Sequence, residues 1–178
     1  FGGMLWNAGV TLGFLGILAG NASGLEGLQM PGKVLPLLFF GFVLVGLSLV
    51  QTNNRRTDEE MSPAQWFLFA ATLWLPWVLG GSYLLIHFFH AKGVVANIVD
   101  WWFIQNFAKV YLTFVGLGTL FHFLSALSGR QLVGRGHAQL AFWLLLLFGS
   151  VGGVSPGAPV PAWLPALSTV TAVFYFFG

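Results

Sequence analysis

The chain has 178 residues, of which 57% are apolar and only 7% charged, with 19 Phe, 8 Trp and a mean hydropathy of +0.82. So few charges cannot cover a water-soluble globule of this size, so most of the exterior is expected to face hydrocarbon. The net charge of +2 is too thin for a nucleic-acid footprint, and without cysteine there is no disulfide framework, thiolate metal site or iron–sulfur ligation.

Six apolar segments follow one another, at 3–22, 34–51, 64–89, 97–127, 138–153 and 163–178. At roughly 20 residues per crossing, all six read as spanning helices. The expected fold is therefore all-α, a polytopic transmembrane bundle in one domain over residues 1–178, a fragment of a larger subunit. In the first segment Gly9, Gly13, Gly16 and Gly20 recur at intervals of three and four, a stripe that lets neighbouring backbones approach, so this helix is expected to be held on more than one side. The loop after the second segment carries Arg55 and Arg56 beside Asp58, Glu59 and Glu60, a solvated run that compensates its own charge.

The third segment ends near His87 and His90, whose i,i+3 spacing would suit two ligands on one face. Beside Phe88 and Phe89, polar anchoring at the interface is the plainer reading. Asp100 is read as opening the fourth helix, where a carboxylate favours the positive end of the dipole, and Glu26 as a loop residue. Further along, Gln105 and Lys109 are four apart and so share a helical face. A cation at mid-membrane costs about 2.5–3.5 kcal/mol on insertion scales unless it points into the bundle and finds acceptors. Lys109 either fulfils that condition, with Gln105 as one acceptor, or snorkels or pairs with a neighbouring subunit.

His122 near the end of the fourth segment and His137 at the start of the fifth read as interfacial. Arg130 and Arg135 join Arg55 and Arg56 on one side, against Lys33 and Lys92 on the other. The positive-inside rule therefore assigns loops 52–63 and 128–137 to the cytoplasm. The last segment, about 24 Å long as a helix, is short for a crossing.

Six stretches in this order and spacing carry a resemblance: "FGGMLWNAGVTLG", "GLEGL", "MSPAQWFLFAATLWLPW", "WWFIQN", "SGRQLVGRGHAQLAFWLLLLFGSVGG" and "PVPAWLPALSTV". Together they resemble the third through eighth helices of the heme-copper oxidase catalytic subunit, cytochrome c oxidase subunit I, in its cbb-type branch near the nitric oxide reductases. That resemblance covers nearly the whole chain and implies the same orientation. It also implies a copper held by three histidines, one in a tryptophan-rich stretch and two before a proline turn. Here Gln105 stands at the first position, and Ser155 and Pro156 at the other two. The tyrosine the family places before the pair falls near Gly149.

The resemblance thus implies a degenerate metal site at Gln105, Lys109, Ser155, Pro156 and Gly149, with Trp101, Trp102 and Asn106 as cavity lining. No copper or other metal is expected in this chain. Heme b is the expected cofactor, with its ligands on helices outside this segment. The expected partners are other membrane subunits of a respiratory complex, a c-type cytochrome and lipids, and the expected location is the bacterial inner membrane. Three functions remain open at this level. One is an electron-transfer subunit that does not itself reduce oxygen. Another is a structural or assembly subunit with a vestigial site. The third is a working terminal oxidase or nitric oxide reductase with ligands supplied elsewhere.

Overall fold

A computed structural model describes residues 1–55, 61–129 and 134–178. Six helical rods follow in chain order, and no strand occurs among the described residues. They are α1 (Gly2–Leu18), α2 (Leu35–Asn54), α3 (Pro63–Phe88), α4 (Val94–Ser128), α5 (Arg135–Ser150) and α6 (Trp163–Tyr175). The last turn of α3, Leu84–Phe88, and the middle of α4, Asn106–Leu112, are π-helical. Arg56 and Arg130, half of the arginines used to orient the chain, lie outside the described residues.

Local chemistry sets the helix ends. Ser62 caps α3: its hydroxyl accepts from the Gln65 amide at 3.4 Å and the Gln65 side chain accepts from the Ser62 amide at 2.8 Å, with Pro63 in the first turn. Gly129, left-handed at φ +65°, closes α4. The turn after α1 passes through Gly20 at φ +83°, so α1 stops at Leu18 rather than running on to residue 22.

The helices pack in series, α1 on α2, α2 on α3, α3 on α4, α4 on α5 and α5 on α6. At the centre, α3 and α4 feed two apolar clusters. One joins Leu28, Leu35, Leu38, Val78, Leu79 and Phe103, and the other joins Phe67, Ala71, Val110, Phe114 and Leu145. Phe67 is the hub of the second, its ring 5.0 Å from Phe114, 5.6 Å from Phe121 and 5.3 Å from Phe142, all edge to face.

Three helices, α2, α3 and α4, are long and apolar enough to cross a membrane. The other three, at 17, 16 and 13 residues, fall short of the roughly 20 that a perpendicular crossing takes. Six helices stand where six apolar segments were expected, but the spanning length is met by three. The glycines of α1 do make a contact surface: Gly9 lies against Leu38, Gly13 against Met30 and Gly16 against Pro31. Within this chain α1 packs on α2 and on the connection between them, while Met4, Leu12, Phe14 and Leu15 are exposed.

Candidate functional site

Asn106 is fully buried and joins three elements. Its Oδ1 accepts from the Trp74 indole N–H of α3 at 3.0 Å. Its Nδ2 donates to the Trp102 carbonyl one turn back at 2.9 Å and to the Ser150 carbonyl at the end of α5 at 3.1 Å. All three bonds are internal to the chain. The π segment starts at this residue, where a side chain inserted among the carbonyls of α4 competes with the i to i−4 ladder.

A widened turn loosens the backbone pairing around it, and side chains supply donors. The Tyr175 hydroxyl of α6 donates to the Lys109 carbonyl at 2.9 Å. With that proton committed, the Thr113 hydroxyl, 2.8 Å away, donates to the phenolic oxygen. The Tyr175 ring lies against Gly149: a Cβ there would stand 3.1 Å from Cε2 of Tyr175 and 3.1 Å from Cγ2 of Val110. The position read as having lost a tyrosine is thus beside one contributed by another helix. Sequence reasoning missed Tyr175, because nothing in "VFYFFG" distinguishes a structural phenol from an interfacial one.

Lys109 is half-buried, and its ammonium lies 5.5 Å from the centroid of the Tyr175 ring. No hydrogen bond joins it to Gln105 among the described residues, so the amide does not serve as the acceptor assigned to it. The π segment is the reason, since it begins between the two residues and breaks the register that would stack positions i and i+4.

Gln105 itself meets the segment after α5. A Cβ on Gly153 would come within 2.7 Å of the Gln105 Cβ and 2.8 Å of the Trp101 carbonyl, an approach open to glycine alone and made at φ +90°. The chain thus brings Gln105 to the turn that leads to Ser155 and Pro156. Those two are exposed, and the Ser155 hydroxyl is occupied locally by the Pro156 carbonyl at 3.4 Å. Trp101 and Trp102 are half-buried, and Trp102 lines a cavity of about 370 Å³ with Ser150, Val154 and Leu164.

A carboxamide, a hydroxyl and a proline do not fit copper, which takes imidazole and sulfur donors. Among the described residues no three His, Cys, Asp or Glu side chains stand together. His87 sits under Gly32 and beside the Tyr83 ring, and His90, His122 and His137 are exposed at or near helix ends.

Asp100 departs most from expectation. It lies in the second turn of α4, not at its start, and is 3% exposed. Its carboxylate accepts from the Gly27 amide at 3.1 and 3.2 Å and from the Leu28 amide at 3.0 Å, which pins the α1–α2 connection. Glu26, one residue away, is exposed as read. The pinned loop closes one end of an apolar cavity of about 390 Å³ bounded by Trp6, Leu38, Leu79, Phe103 and Phe107.

Fold and site define an all-α chain with three membrane-length apolar helices and a polar knot at the α3–α4–α5 junction. No protein-family model matches the chain, and no curated protein matches it.

Proposed function

We propose that the chain is an integral-membrane subunit resembling cytochrome c oxidase subunit I, part of a respiratory electron-transfer complex, that does not itself reduce oxygen. The observation that carries this reading is Gln105, packed on Gly153 in the tryptophan-rich stretch where the resemblance implies an imidazole. An amide, a serine and a proline at the three gripping positions leave copper without its donors. Without that ion, oxygen chemistry forfeits charge stabilisation of several kcal/mol. Heme b would supply one-electron transfer, with its ligands outside residues 1–178. The reading places the chain in a bacterial inner membrane among other subunits, a c-type cytochrome and lipids, with loops 52–63 and 128–137 in the cytoplasm.

A reduced-minus-oxidised visible spectrum of the purified complex, run beside oxygen-uptake measurements, tests this. A heme b band with no uptake attributable to this subunit is the expected outcome. Uptake that disappears when this chain alone is altered at Gln105 would refute it.

A second reading has its own observation. Asn106 and Tyr175 fill and tie the junction with internal hydrogen bonds, as a subunit kept for assembly would. That reading expects a colourless preparation and loss of partner subunits on deletion.

A further inference from the structure

Lys109 is a half-buried cation far from both ends of α4, the longest apolar helix. At roughly 1.5 Å per residue it lies about 22 Å from Val94 and about 28 Å from Ser128. With a hydrocarbon layer of about 30 Å centred on this helix, its backbone is about 12 Å inside the nearer boundary, beyond what a four-carbon stem spans. Snorkelling to a headgroup does not solve its problem.

Nor does the chain solve it. Among the described residues Lys109 has no ion pair, and its ammonium meets only the face of the Tyr175 ring. The hydroxyl of that tyrosine is already engaged by the Lys109 carbonyl and Thr113. Asp100, about 14 Å back along the axis, is committed to Gly27 and Leu28. Next to Lys109 the helix is uncovered: Leu112 is 50% exposed, and Gly116 meets nothing where a Cβ would stand, so another backbone can come close.

We propose that Lys109 docks a further transmembrane helix, outside residues 1–178, that presents an ionised Asp or Glu at the same depth. Charge complementarity selects this occupant: an intramembrane cation is retained where an opposite charge meets it inside a bundle. The inference rests on the bilayer placement proposed above and is independent of the redox reading.

Dicyclohexylcarbodiimide tests it on the complex as purified. The reagent activates a buried carboxylate, which the neighbouring amine captures as an amide while the activating group leaves as the urea. Peptide mass spectrometry is expected to find Lys109 joined to an Asp or Glu of a spanning segment outside residues 1–178. Lys109→Arg should keep the complex assembled and abolish the cross-link. Lys109→Glu should lower recovery of the intact complex at least tenfold, with recovery restored when the linked carboxylate is changed to Lys. An unlinked Lys109 in a membrane-retained complex, or a link confined to residues 1–178, overturns the proposal alone. Release of the chain by alkaline carbonate overturns the bilayer placement, and the proposal with it.

Discussion

The indole N–H of Trp74 donates to the side-chain oxygen of Asn106 at 3.0 Å, joining the two longest helices through their packed faces. The same amide reaches the Ser150 carbonyl, so one residue sets the mutual positions of α3, α4 and α5.

Replacing Asn106 with Leu keeps the volume close and removes all three hydrogen bonds. It strands the Trp74 donor at the junction, at a cost of about 1–3 kcal/mol. Thermal unfolding in detergent should fall by several degrees, whereas a melting curve matching the parent would show that the knot is not structural. Trp74→Phe, which removes the donor and part of the packed indole, strands the Asn106 oxygen and should destabilise as well.

Asp100→Asn tests the loop anchor. The amide keeps the shape but loses the charge and turns one N–H₂ toward backbone donors, so a loss of about 1–3 kcal/mol is expected. Limited proteolysis should then cut within residues 19–34 sooner than in the parent. Glu26→Gln, one residue from the anchored amides but exposed, should stay within about 0.5 kcal/mol of the parent.

Gly149→Ala inserts a methyl 3.1 Å from both Tyr175 and Val110. The Tyr175 ring and Val110 must give by a few tenths of an ångström, an overpacking cost of about 1–3 kcal/mol set against the roughly 1 kcal/mol that alanine gains over glycine inside a helix. Tyr175→Phe should cost about 1 kcal/mol by leaving the Lys109 carbonyl and the Thr113 hydroxyl without the phenol. Both are read by detergent melting, and a Gly149→Ala variant more stable than the parent would place the Tyr175 ring elsewhere.

Ser82 offers a prediction of the opposite sign. Its hydroxyl is fully buried without a hydrogen-bond partner among the described residues. Ser82→Ala removes a polar atom whose desolvation is already uncompensated, so stability should hold or rise by up to about 1 kcal/mol. A clear loss of stability would reveal a partner for this hydroxyl in the assembled protein.

Helix order was legible in the sequence because apolar runs separated by polar breaks record backbone needs locally, whereas the caps at Ser62 and Gly129 that set the ends were not read from it. Asp100 was not legible. From the sequence it is a carboxylate near a helix start, and its true partners are amides more than seventy residues away. The pairing of Gln105 with Lys109 failed for a related reason, since hydropathy does not report a change of helical pitch at Asn106. The approach of Gln105 to Gly153 was not anticipated, and no periodicity in the chain would have found it.

The most direct test of the degenerate metal site is anomalous scattering at the copper absorption edge from crystals of the intact complex. The expected map carries no peak within coordination reach of Gln105, Ser155 or Lys109. A copper peak beside those side chains would contradict the proposed loss of the metal and return the chain to the oxygen- or nitric-oxide-reducing class.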